Sequence, residues 1–96
     1  MDLFVYIGRD GPRGAELRGS VRERHLAHLE GLVAAGRIRY AGPLRNDAGD
    51  PCGSLIVLEA ESLADAKAIA QSDPYNEEGV FETVEVFASA QVFPAA

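Results

Sequence analysis

Two histidines and two arginines fall within Val21–Glu30, VRERHLAHLE, a segment whose apolar residues recur at helical spacing. At about 100° per residue, His25 lies between Val21 and Leu29 in direction, near the centre of the apolar stripe. His28 lies at the edge of that stripe, near Leu17, and Arg22 shares the inward half with His25. Burying a guanidinium or an imidazole without a partner costs on the order of 1–3 kcal/mol or more, so partners are expected. Imidazole exchanges its proton near neutral pH, and the chemistry it offers is acid–base catalysis. Asp73, in Ser72-Asp73-Pro74-Tyr75, is the candidate partner. A carboxylate accepting from one imidazole nitrogen fixes the tautomer and leaves the other nitrogen as a base. Plainer readings stand beside this one. His25 could be a core histidine bonded to a carbonyl or a tyrosine, and Asp73 a turn residue binding nearby amides.

Other chemistry finds less support. His25 and His28 stand three apart, but no H-E-x-x-H pattern accompanies them, and no metal site is expected. Cys52 is the sole cysteine and sits in a Gly/Pro/Asp loop, which excludes an internal disulfide and a cysteine metal cage. GRDGPRG (Gly8–Gly14) has the spacing G-x-x-G-x-x-G, without the dinucleotide pattern or the Lys-Ser/Thr of a phosphate loop. It reads as a flexible connection. The net charge is −6: residues 1–50 carry eight arginines against seven acids, and residues 51–96 one lysine against eight acids. An acidic chain with no basic cluster is a poor partner for nucleic acid or for an anionic membrane surface. The start, MDLFVYIG, lacks a basic region and a long apolar run, so the expectation is a soluble cytoplasmic protein.

The elements that must position these residues follow from periodicity. Leu3–Ile7 is a continuous apolar, β-rich run and reads as a strand. Leu17 to about Ala35 keeps helical period and ends at Gly36, a natural C-terminal cap. Arg37–Ala41 alternates and runs into Gly42-Pro43-Leu44 as a second strand, and Asn46–Gly53 is dense in turn formers. Ser54–Leu58 is a third strand. Ser62-Leu-Ala-Asp65, a capping-box variant, opens a second helix that runs to about Ser72, before Pro74. Glu82–Phe93 alternates and reads as a long fourth strand. The order β-α-β-β-α-β is the α+β, ferredoxin-like split βαβ arrangement: one domain over residues 1–96, with both helices on one face of a four-stranded antiparallel sheet. The first and third strands are apolar on both faces, so something must cover the face opposite the helices. A second copy of the sheet is the economical cover, and a strand longer than the usual ~5–6 residues would reach the partner.

Arg22-x-x-His25-Leu26, Gly36, Ala41-Gly42-Pro43-Leu44, Gly53-Ser54 and Ser72-Asp73-Pro74-Tyr75 together resemble the signature of the YciI-like (YCII-related) family. The resemblance spans roughly Leu3 to Phe93. It implies the dimeric α/β-barrel form of the ferredoxin-like fold. It also implies a catalytic dyad of His25 and Asp73, with Arg22, Gly42, Pro43, Ser54 and Tyr75 nearby as substrate-binding positions. One branch of the family is similar to enzymes that remove chloride from hydroxylated chloroaromatics without a cofactor. The segment GRDGPRGAELRG between the first strand and helix is a departure that would reshape the mouth of a cleft.

Three functions are consistent with these residues. The first is a small cofactor-independent enzyme in which Asp73 orients His25 to move a proton on an aromatic or carbonyl-bearing substrate, as a dehydrochlorinase or isomerase does. The second is a ligand-binding or regulatory module with a structural His–Asp pair, and the third a cofactorless monooxygenase-like protein. Geometry separates the first two: an enzyme needs an imidazole nitrogen within roughly 3.2 Å of Asp73 and its other nitrogen facing an open cleft.

Overall fold

The computed structural model describes residues 1–95, and its elements follow in the order β1 (Asp2–Asp10), α1 (Gly14–Ala34), β2 (Ile38–Arg45), β3 (Pro51–Ala60), α2 (Leu63–Gln71), α3 (Pro74–Glu77) and β4 (Phe81–Ser89). All strand pairs are antiparallel, in the order β2-β3-β1-β4. β1 and β3 are therefore central, as the split βαβ reading requires. Phe4, Tyr6, Ile56 and Leu58 fill the face beneath the helices, where Leu29, Ala66 and Ala70 meet them.

Local chemistry explains where the elements stop. Gly36 takes φ +72°, donates to Val33, and lets Arg37 donate to Leu32, closing α1 in a Schellman turn. In the β2–β3 hairpin, Asn46 Oδ1 accepts from the amides of Ala48 and Asp50, both at 3.0 Å. Ser62 Oγ caps α2 by accepting from the Asp65 amide, while the Asp65 carboxylate reaches the Glu61 amide rather than that of Ser62.

Four expectations need correction. Gly8–Gly14 is not a flexible connection: β1 continues to Asp10, and α1 begins at Gly14. Its glycines supply space. A Cβ on Gly8 would enter the ring of Phe81, and one on Gly14 would collide with the Asp10 side chain. Nor is GRDGPRGAELRG a long excursion, since Gly11–Arg13 alone separates strand from helix. The fourth strand ends at Ser89 instead of Phe93, so its length no longer argues for reach across to a partner. Finally, the second helix does end before Pro74, but the residues after Asp73 form a further short helix, α3, that the helix-ending signal of Pro74 does not predict.

The uncovered face of the sheet is apolar in one continuous row. Tyr40 pairs with Val57, Val57 with Val5, and Val5 with Phe87, while Ile7 and Leu55 lie in the next row. The row's ends, Tyr40 and Phe87, are 54% and 49% exposed, large for aromatic groups in mid-strand. Among the described residues no helix is long and apolar enough to cross a membrane.

The spacer role of Gly8 has a direct consequence. Gly8→Ala should lower unfolding free energy by about 1–3 kcal/mol, because Phe81 must leave its place for the added methyl. Urea denaturation of the two proteins measures this, and unchanged stability would contradict the packing described.

Candidate active site

Asp73 is completely buried at the turn between α2 and α3. Its carboxylate accepts three hydrogen bonds, each from a different element. Oδ1 accepts from His25 Nδ1 of α1 at 2.7 Å and from the Tyr75 amide of α3 at 2.9 Å. Oδ2 accepts from the Tyr6 hydroxyl of β1 at 2.9 Å. One oxygen of Asp73 thus serves both the turn amide and the imidazole. A carboxylate can only accept, so Nδ1 carries the proton and Nε2 holds the free lone pair. Burial, and then the negative charge and hydrogen bond of Asp73, push the Tyr6 phenol far above its ordinary range, keeping it a neutral donor.

His25 is 7% exposed and lies flat on Tyr75, with ring centroids 3.8 Å apart and planes 5° from parallel. Phe81 meets the Tyr75 ring edge-on, at 5.7 Å and 82°. The imidazole is therefore fixed in plane by the stack and in rotation by Asp73. Among the described residues its Nε2 has no hydrogen-bond partner, and it is not enclosed; the ring borders a cavity of about 370 Å³. Arg18, Arg22, Ser54 and Tyr75 bring polar groups to this cavity, and Leu26, Leu29, Ile56, Ala41 and Pro43 make its apolar wall, with the Gly42 backbone beside them.

The structure thus brings the sequence-derived positions together. His25, Arg22, Gly42, Pro43, Ser54 and Tyr75 all border one cavity, and Asp73 lies behind the imidazole. One detail differs. Arg22 is exposed at the mouth instead of buried, and among the described residues it has no ion-pair partner and needs none. His28 takes no part, although its Nε2 is enclosed without a partner among the described residues. No group of three or more His, Cys, Asp or Glu side chains gathers into an ion-binding cluster among the described residues.

Two participants escaped the sequence reading. Tyr6 was hidden in a continuous apolar run, where neither face of the strand can be assigned. Arg18 fell inside the helix expected from Leu17 onward and was not singled out, though it stands four before Arg22 and seven before His25, on the same helical face. Its Nε and Nη2 donate to Asp10 at 2.5 and 3.0 Å, and Nη2 also reaches the Gly53 carbonyl at 2.8 Å and Ser54 Oγ at 3.4 Å. Burial works against this charge, but the bonds to Asp10 hold the guanidinium pKa above its ordinary value.

The YCII-related domain family matches residues 3–90. The chain belongs to that family. The protein YciI of Escherichia coli is 41% identical over 97 residues, covering 95% of this chain and 99% of its own. A Haemophilus influenzae protein is 39% identical over 98 residues, covering 94% of this chain and 98% of its own. Among solved structures, a 5-chloro-2-hydroxyhydroquinone dehydrochlorinase from Burkholderia phenoliruptrix, in complex with 2,5-dihydroxybenzoquinone, superposes with a TM-score of 0.81 at 30% identity, covering 93% of this chain and 94% of its own. A structure described as an antibiotic biosynthesis monooxygenase from Nitrosomonas europaea has a TM-score of 0.60 at 12% identity over 97% of this chain and 100% of its own, which shows a common fold. With YciI near in length and matched almost end to end, the 8–19 segment leaves little room for a large insertion, consistent with its place in β1 and α1.

The phenol of Tyr6 makes stability depend on pH in a defined direction. Its pKa in the folded protein is raised above the unfolded value of about 10, so both states hold the proton below pH ~10. Above that, the unfolded chain releases the proton first, and the contribution is progressively lost as pH rises. Urea midpoints should fall between about pH 10 and 11 in the native protein, and less steeply in Tyr6→Phe. Parallel curves for the two would contradict the burial of this hydroxyl against Asp73.

Proposed function

We propose that this protein is a cofactor-independent acid–base enzyme acting on a small hydroxylated ring, with His25 as the proton-transferring group and Asp73 as its orienting partner. The observation that carries this reading is the 2.7 Å bond from Nδ1 to a fully buried carboxylate, with Nε2 left facing a cavity. An imidazole held only for structure would have no need of an open second nitrogen. The cavity volume, about 370 Å³, is at the small end for ligand sites, and its apolar wall suits one ring rather than an extended molecule.

The likeness to a dehydrochlorinase supports elimination of hydrogen chloride from a chlorinated quinol as the reaction. A ring hydroxyl proton first moves to the chlorine-bearing carbon, giving the keto tautomer with a tetrahedral C–Cl centre, and His25 Nε2 then takes the proton of a second ring hydroxyl, whose oxygen becomes a carbonyl. The electron pair released becomes a new bond within the ring system, and the carbon–chlorine bond breaks toward chlorine. Chloride leaves, a quinone-type carbonyl compound remains, and the imidazolium returns its proton to water. Proton and chloride account for the atoms lost, and no external oxidant enters. Ser54 and Tyr75 offer hydroxyls to orient the ring, Arg22 supplies positive charge at the mouth, and Gly42 and Pro43 shape one wall. Asp73 keeps Nδ1 protonated and stabilises the imidazolium.

We further infer that the working unit is a homodimer joined through the sheet face opposite the helices. The row Tyr40–Val57–Val5–Phe87, apolar and continuous across four strands, supports this, since such a row left in water favours self-association.

With 5-chloro-2-hydroxyhydroquinone as substrate, chloride release should fall about 10²–10⁴-fold in His25→Ala and Asp73→Asn, while circular dichroism stays native. Full activity in His25→Ala would overturn the enzyme reading. Light scattering should report a dimer at micromolar concentration, and Val57→Lys should convert it to monomer. A native monomer would overturn the dimer.

A further inference from the structure

The Arg18 guanidinium is held more rigidly than any other cation near the cavity, yet it is not fully engaged. Nε and Nη2 are committed to Asp10, Gly53 and Ser54. Nη1 makes none of these bonds, the Tyr75 hydroxyl lies close to the guanidinium, and Arg18 is one of the residues bordering the cavity. The guanidinium carbon lies 4.9 Å from the Tyr75 ring centroid, and the imidazole centroid lies 3.8 Å from the same centroid. A cationic side chain and an imidazole with an unpartnered nitrogen thus both pack on one phenol ring and both border the same cavity. Ser54 Oγ, which accepts from Arg18, retains its own proton for donation.

We propose that Arg18 selects the substrate by charge: Nη1 receives an ionised oxygen on a planar ring whose other side faces His25, so the site takes hydroxyquinones and quinols in their anionic form. This rests on the reading of His25 as the base and adds the charge of the substrate and the group that recognises it. Asp10 serves as a positioning residue, fixing the guanidinium plane while leaving one edge free. The preference is local, because the chain as a whole is acidic and repels anions. The Tyr75 phenol senses the same field: burial raises its pKa, while Arg18 and Arg22 both pull it down, as they would favour negative charge on a neighbouring oxygen. A carboxylate partner for Arg18 need not cancel this, since Asp10 accepts on the side away from Nη1.

The test compares two probes of like shape. 2,5-Dihydroxybenzoquinone is a vinylogous acid and anionic at neutral pH; its dimethyl ether is neutral. Calorimetric titration of the native protein should show the anion binding about tenfold or more tightly, the worth of a charge-assisted hydrogen bond. Arg18→Gln should bring the two affinities within about threefold, Arg22→Gln should retain most of the preference, and Asp10→Asn should enlarge it several-fold by removing the counter-charge. No binding of the anion, equal affinities in the native protein, or an undiminished preference in Arg18→Gln would each overturn the proposal. Should Arg18→Gln fail to fold, Asp10→Asn decides: a preference that shrinks or stays constant there contradicts the assignment. His25→Ala separates this proposal from the one it rests on. Charge preference kept in that variant, with no turnover in the native protein, would sink the enzyme reading and leave the recognition by Arg18 standing.

Discussion

A buried carboxylate is the constraint around which this molecule is arranged. Moving an unpaired carboxylate out of water costs several kcal/mol, and Asp73 has no solvent contact at all. Its three donors come from β1, α1 and α3, so the sheet, the long helix and the short helix must meet at one point for the charge to be tolerated. Folding and construction of the site are for this reason the same event. Each donor is also specialised. The Tyr75 amide is made available by Pro74, which starts α3 where Asp73 can cap it. The Tyr6 phenol, kept neutral by burial, contributes a proton without contributing charge. His25 alone among the three has a second face, and that face is the one turned to the cavity.

The glycines of the 8–14 segment show how backbone economy serves side-chain placement. Gly8 leaves room for Phe81, Phe81 braces Tyr75, and Tyr75 supports the imidazole. Gly14 leaves room for Asp10, which in turn fixes Arg18. Two packing chains thus run from absent Cβ atoms to the same phenol ring. None of the three glycines in this segment has a positive φ, so close approach explains Gly8 and Gly14 and backbone freedom does not.

Much of this was legible in the sequence, for reasons that can be stated. The helical period of α1 pointed His25 inward and His28 to the edge, and Asp73-Pro74-Tyr75 announced a helix boundary carrying a carboxylate. The split βαβ order placed β1 and β3 at the centre of the sheet, where the strand order β2-β3-β1-β4 has them. The continuous apolar run of β1 hid Tyr6, whose facing can be assigned only from its pairing with Ile56 and Val86. Arg18 fell within the expected helix, but its partners Asp10 and Gly53 lie outside that helix and only the fold brings them beside it. The Gly-x-x-Gly-x-x-Gly before it suggested a loop, whereas Gly8 and Gly14 stand where neighbouring side chains need their volume. β4 ended early because alternation continues in the sequence after its pairing partner, Leu3, has run out near the start of β1.

The arrangement has a simple electrostatic logic. An anionic group sits behind the imidazole, dry and fully hydrogen-bonded, while cationic groups stand at the cavity in front of it. In the proposed reaction, Nε2 stands between the Asp73 carboxylate behind the ring and the guanidinium groups that border the cavity in front of it. All of it depends on which imidazole nitrogen carries the proton. Nitrogen-15 NMR of His25 in the neutral form reports this directly. With Asp73 accepting from Nδ1, the spectrum should show Nδ1 protonated and Nε2 bare; a bare Nδ1 with the proton on Nε2 would contradict the assignment of His25 as a base aimed into the cavity.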